Sequence, residues 1–165
     1  MAKRASAVAE ADHRDTEELG TRQRLLLTAE RLIAEAGVGQ VSMRQIGAEA
    51  GARNLSAVLY HFGSLDGVIA AILEYRMAPI ERRRSAMLDE LVADKTKQIT
   101  VNDVLNAVVW PLAEQMLTRA GPNHYVGFVA ATYRTPRLDS WGAVNPRFRR
   151  GLVRSYIILR RLLPN

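Results

Sequence analysis

The amino-acid sequence predicts an all-α chain. Three observations support this. Apolar residues recur at helical spacing along most of the chain, side chains suited to capping helix N-termini stand just ahead of several of these stretches, and no segment reads convincingly as a strand.

From Arg22 to Ala36, the residues Leu25, Ala29, Leu32, Ile33 and Ala36 fall on one face of a first helix, which Gly37 closes. Ser42 and Gln45 form a capping box, so a second helix starts at Met43, turns Met43, Ile46 and Ala50 inward, and stops at Gly51. Asn54 is placed to cap a third, short helix from Leu55 to His61, with Val58 and Phe62 inward and Gly63 at its end. Ser64 caps a fourth, whose apolar stripe is Val68, Ile69, Ile72, Leu73 and Met77 and whose Asp66 complements the helix dipole. Pro79 is expected to kink or interrupt it, with a helix resuming from Ile80 through Val92 and carrying Arg82, Arg83 and Arg84.

Lys95 to Ile99 reads as a connection. Thr100 and Asp103 then cap a long helix running through Leu105, Val108, Val109, Leu112, Met116 and Leu117, bent at Pro111. Gly121 and Pro122 separate it from a helix over about Asn123 to Arg134, and Thr135 to Asn145 reads as a loop. Pro146 suits a first helical position, and the last helix runs from it to about Leu163 with Phe148, Leu152, Tyr156, Leu159 and Leu163 as its buried row.

A chain of 165 residues has room for one domain and a small second module. The absence of cysteine excludes disulfides and thiolate metal sites, and no apolar run reaches the ~20 residues of a membrane span, so a cytoplasmic protein with no membrane partner is expected. The formal charge is +6. Residues 1–63 are neutral, with eight basic and eight acidic side chains, whereas residues 64–165 hold fifteen basic against nine acidic. Residues 1–19 are acidic and poor in periodic apolar residues, so a flexible leader is expected there, with residues 20–63 as one domain and 64–165 as a second, helical one.

Two short helices joined by a turn containing Gly51, after a longer amphipathic helix, form the layout of a helix-turn-helix. Such a unit needs an inner face anchored by apolar residues and an outer face that reaches phosphates and base edges. Val58 and Phe62 anchor, while Ser56, Tyr60 and His61 project. The stretches TRQRLLLTAERLIAEAG, VSMRQIGAEAG and LYHFGSLD, spanning about a third of the chain, resemble the TetR family of transcriptional regulators. WPLAEQ at Trp110 to Gln115 and GPNHY at Gly121 to Tyr125 are similar, more loosely, to ligand-domain sequence of some TetR-like proteins.

The resemblance implies a homodimer that binds a double-stranded DNA operator, as a repressor released by a small-molecule effector in the second domain. It assigns Ser42 to the cap that touches a phosphate, Arg44 to the basic residue of helix two that faces DNA, Asn54 to the cap of the recognition helix, and Tyr60 with His61 to phosphate contacts. The spacing from Gly51 to Phe62 is one residue longer than is common in the family, which puts Arg53 in an enlarged turn within reach of a phosphate. Leu59 stands where the family often has a DNA-contacting Tyr, and Leu55 faces outward one turn earlier, so apolar contact with thymine methyl groups is expected. Leu65 replaces a frequent Lys and removes a phosphate contact. Family members usually continue for two further helices that form the dimer bundle, and these are expected to be lacking.

No nucleophile, base and orienter come together in the sequence, and His13, His61 and His124 have no carboxylate cluster beside them, so neither an enzyme nor a metal or cofactor site is expected. Trp110, Met116, His124, Tyr125, Phe128, Tyr133 and Trp141 are candidates to line an apolar effector pocket, against the plainer reading that they are core. The last helix carries Arg147, Arg150, Arg154 and Arg161 on roughly one face, which reads as a solvated surface or an anionic docking face. The alternative function is a helical ligand-binding or protein-interaction module that keeps the helix-turn-helix only as packing.

Overall fold

The computed structural model of the chain describes residues 20–52, 55–117, 123–135 and 146–163. The expected leader over 1–19, the break at Gly121 and Pro122, and most of the loop from Thr135 to Asn145 lie outside these residues. Among the described residues all regular structure is helical: α1 over 20–36, α2 Met43–Glu49, α3 Leu55–Phe62, α4 Leu65–Ala93, α5 Val101–Leu117, α6 Tyr125–Tyr133 and α7 Arg150–Leu162, with single 3-10 turns at Val38–Gln40 and Pro146–Arg149. The chain is therefore all-α. The described residues fall into two compact units, one drawn from Met1–Ile72 and Val126–Pro136, the other from Leu73–Tyr125 and Arg137–Asn165. This division comes later along the chain than the expected boundary after Gly63, and it assigns most of α6 to the first unit.

In the first unit α1 presents Leu25, Leu26, Ala29 and Ile33 to a core that also contains Ile46, Val58, Val68, Ile69, Ile72 and Phe128. Ala36, expected inward, is exposed; Met43, Ala50 and Phe62 are only half-buried. On a helix as short as α2 the inward face is narrow, and Ile46 with Gly47 fills it. Gly127 brings α6 against α1, since a Cβ there would lie 3.1 Å from that of Ala34.

Pro79 does not interrupt α4, which runs from Leu65 to Ala93 as one helix. Proline removes one backbone donor, but Met77, Ile80, Glu81 and Arg84 around it are buried, and this packing holds the helical path.

The second unit is built on Leu88, Val104 and Ala107, with Met87, Leu91, Ile99, Ile158, Leu159 and Leu162 packed around them. The capping box of α5 forms as expected: Thr100 N–H and hydroxyl both donate to Asp103, and Asp103 N–H donates back to the Thr100 oxygen. These bonds, with Lys97, hold the Asp103 carboxyl below the ordinary carboxylate range.

On α5 and α7 the face that meets the core carries the smaller residues, and on α7 this departs in part from the expected row, of which Phe148 is buried. On α5 the buried row is Val104, Ala107 and Pro111, while Leu105, Val109, Leu112, Met116 and Leu117 are exposed. The helix has two apolar rows, and spacing alone does not say which one meets the core. On α7, Tyr156 and Leu163 are exposed and Leu152 and Leu159 are half-buried; the fully buried positions are Gly151 and Ser155.

A buried ion pair explains why small residues face inward on α7. Arg84, on the same helix as the exposed Arg82 and Arg83, is buried and donates to Glu81 at 3.1 Å and to the Val108 carbonyl at 3.3 Å. The other Glu81 oxygen accepts from the Gly151 backbone N–H, and Ser155 closes back onto the Gly151 carbonyl at 2.8 Å. Burying charge this deeply is costly; the bonds of Arg84 Nη1 and Nη2 and those to Glu81 offset much of that cost, while the buried Arg84 Nε has no partner among the described residues, and together these bonds tie α4, α5 and α7 at this point. A Cβ on Gly151 would lie 2.9 Å from both Arg84 Cδ and a Glu81 carboxylate oxygen. Gly151→Ala is therefore expected to lower stability by about 1–3 kcal/mol, read as a fall in thermal midpoint, because a packed site must shift to admit it.

Candidate nucleic-acid interface

The helix α2 starts with a cap. Ser42 is extended and its Oγ accepts from the Gln45 N–H at 3.2 Å, satisfying one of the donors that a helix start leaves unpaired. At the other end of α2, Ala52 N–H reaches back to the Gly47 carbonyl at 2.9 Å, and Gly51 adopts φ 71, a left-handed conformation that glycine takes without steric cost.

Packing against α2 orients α3. Val58 and Ile46 are both fully buried, so the opposite face of α3 must turn outward. That face carries Ser56, Leu59 and Tyr60, all exposed, with Tyr60 at 76% the most open of the three. The spacing of one helical turn places them together. His61 is half-buried and meets the Tyr60 ring edge-on at 5.2 Å. Of the other residues expected at this surface, Ser42 and Arg44 are exposed at the start of α2. The backbone of Leu55 begins α3; Arg53, Asn54 and the Leu55 side chain lie outside the described residues.

Two arginines that sequence reasoning did not single out belong to the same region. Arg22 on α1 lays its guanidinium 5.3 Å over the Phe62 ring, an attraction between cation and π-face that puts an exposed positive charge at the C-terminal end of α3. Arg31 on α1 pairs with Glu35 at 3.0 Å and with Glu49 of α2 at 2.5 Å. Its hydrogen bond, followed by that of Gln45, holds the Glu49 carboxyl below the ordinary range. Neither the Arg22–Phe62 nor the Arg31–Glu49 contact was visible as spacing, because each joins residues of different helices.

The exit from α3 is equally constrained. Gly63 takes φ 71, Ser64 Oγ accepts from Gly67 N–H at 3.1 Å, and α4 begins. A Cβ on Gly67 would stand 2.0 Å from the Phe62 carbonyl oxygen, so the backbones of the two helices meet where only glycine fits.

The described effector candidates differ in burial. Trp110, Met116 and Tyr133 are about half exposed and Phe128 is fully buried core. Tyr125 is buried and its hydroxyl donates to the Met77 sulfur at 3.2 Å; His124 is half-buried, and Trp141 is outside the described residues. A cleft of about 330 Å³ between α4 and α5 is lined by Met87, Glu90, Leu91, Asp94 and Asp103 among others, and by none of the seven. Among the described residues no three His, Cys, Asp or Glu side chains are placed to hold a metal.

Residues 25–72 match the sequence model of the bacterial regulatory proteins of the tetR family, in its N-terminal part. The match starts inside α1 and ends at Ile72, where the first stretch of the N-terminal unit also ends. No curated protein gives a significant match to the chain.

Two substitutions test this construction. Ile46→Ala is expected to cost about 2–5 kcal/mol in denaturant unfolding, as removal of a fully buried aliphatic side chain does. Gly67→Ala is expected to perturb amide chemical shifts at Phe62, Gly63 and Ser64 while leaving those of α7 in place.

Proposed function

From the premise that the chain carries the DNA-binding domain of the TetR family over residues 25–72, we propose that it is a cytoplasmic transcriptional repressor that binds its operator as a homodimer and leaves it when a small molecule occupies the second unit. The observation that carries the proposal is the outward face of α3. Val58 is buried beneath the helix, and Ser56, Leu59 and Tyr60 are exposed on the face that would enter a major groove. Ser42 and Arg44 are exposed at the start of α2, and in this reading they meet phosphates on the groove edge. Leu59 in place of a polar side chain favours thymine methyl groups over hydrogen-bonded base edges. Arg22 adds a further phosphate contact in this reading.

Release by an effector rests on α4. The helix starts at Leu65, meets the Phe62 carbonyl at Gly67, and continues as one element through Pro79 to Ala93. In this reading α4 is the element that would carry a movement to the base of α3. An effector that favours one setting of α4 changes the separation of two recognition helices in a dimer, and binding to half-sites one DNA turn apart weakens. No described helix is long and apolar enough to cross a membrane, and the proposal needs none.

A gel shift against the DNA upstream of the protein's own coding sequence tests the proposal. Arg44→Ala is expected to weaken binding on all sequences alike and to reduce the slope of log affinity against log salt by about one. Leu59→Ala is expected to cost about 1–3 kcal/mol on the preferred sequence and little on unrelated DNA, as loss of a base contact does. Binding that ignores both substitutions would instead support a helical interaction module. Sedimentation of the DNA complex is expected to show two chains per duplex.

A further inference from the structure

Arg31 is half-buried, sits on α1, and in the proposed DNA complex touches nothing that reads DNA. It nevertheless bridges two carboxylates: Nη1 donates to Glu35 and Nη2 to Glu49. Glu35 lies in the last turn of α1 and Glu49 is the last residue of α2. A helix C-terminus carries partial negative charge, so an acid there is disfavoured, and two such acids facing each other are more so. One guanidinium between them turns that double repulsion into a clasp between the two helix ends.

The clasp continues to the start of α2. Gln45 Nε2 donates to the second Glu49 oxygen at 3.3 Å, and the Gln45 backbone N–H donates to Ser42 Oγ. A helix of seven residues does not hold itself in water, and its one fully buried side chain, Ile46, is a pivot rather than a fixed frame. A second point, away from the pivot, is needed to set the rotation of α2 about Ile46 and hence the aim of Ser42 and Arg44.

We propose that Arg31 is a positioning residue for DNA binding: through Glu49 and Gln45 it sets the orientation in which α2 presents Ser42 and Arg44 to the phosphates. This rests on the DNA-binding reading above. Arg31 and Glu49 side chains are more than a third exposed, so the pair adds little to global stability and acts on direction. The lowered Glu49 carboxyl is consistent with a clasp that stays closed at neutral pH.

The test uses the full chain and a duplex enriched by the wild-type chain from a random-sequence pool. Arg31→Met is expected to weaken binding about two- to fivefold, the range that loss of an exposed ion pair allows. The salt slope is expected to stay at the wild-type value, whereas Arg44→Ala lowers it by about one. Arg31→Glu is expected to lose about tenfold or more, and Arg31→Glu with Glu49→Arg to regain most of that loss, because an arginine on α2 then clasps two acids on α1. Glu49→Arg alone controls for the added charge. In the free chain, amides of α2 are expected to exchange faster in Arg31→Met while those of α5 and α7 do not.

An unchanged affinity in Arg31→Met, or no coupling in the double variant, overturns the inference and leaves the DNA-binding reading intact. A salt slope that falls as it does for Arg44→Ala overturns it differently, by making Arg31 a phosphate contact itself. A wild-type chain that enriches no duplex overturns the DNA-binding reading and this inference together.

Discussion

The N-terminal surface depends on the burial of Val58 where α3 packs on α2. That burial determines which way α3 faces. With Val58 and Ile46 both removed from water, the outer residues Ser56, Leu59 and Tyr60 have no route into the core, although Leu59 and Tyr60 carry enough apolar surface to be drawn there. Burying a valine is worth about 1.5–3 kcal/mol, which is a substantial share of what a small helical unit can have in reserve. The glycines at 51, 63 and 67 serve the same end: two permit left-handed turns at the ends of α2 and α3, and the third lets α4 begin against the Phe62 carbonyl. Reading of a duplex is thus supported by constraints that do not themselves face it.

Much of this was legible in the sequence because it is local. The capping box at Thr100, the cap at Ser42 and the closing glycine at position 63 depend on residues within one turn of each other, and the observed hydrogen bonds match them, although the Gln45 side chain turns to Glu49 rather than completing a box with Ser42. The identity of the outward residues on α3 followed from helical spacing once Val58 was placed inward. What was not legible depends on residues far apart in the chain. The clasp of Arg31 on Glu49 and the stacking of Arg22 on Phe62 join separate helices, and no periodicity marks them.

The second unit shows the same division more sharply. An apolar row on α5 was evident from the sequence, but two rows exist and the core took the one with the small residues Ala107 and Val104. On α7 the aromatic and leucine row had the stronger pattern, yet Gly151 and Ser155 face inward because the Glu81–Arg84 pair needs a backbone donor close by. Arg84 was indistinguishable in the sequence from its neighbours Arg82 and Arg83; only the tertiary placement of Glu81 makes it a buried partner. Trp110 and Met116 were chosen as effector candidates on residue type, and their exposure on α5 is set by packing that residue type does not reveal.

Charge gives the account its most direct challenge, because the net excess lies in the second half of the chain and α7 alone exposes Arg150, Arg160 and Arg161. Backbone amide shifts of the isotopically labelled chain, followed as the upstream duplex is added, separate the two surfaces. The account predicts that Ser56, Leu59 and Tyr60 shift together with Ser42 and Arg44, and that α7 stays still. Shifts confined to α7, with α3 silent, would contradict it and place DNA binding on the arginine-rich helix.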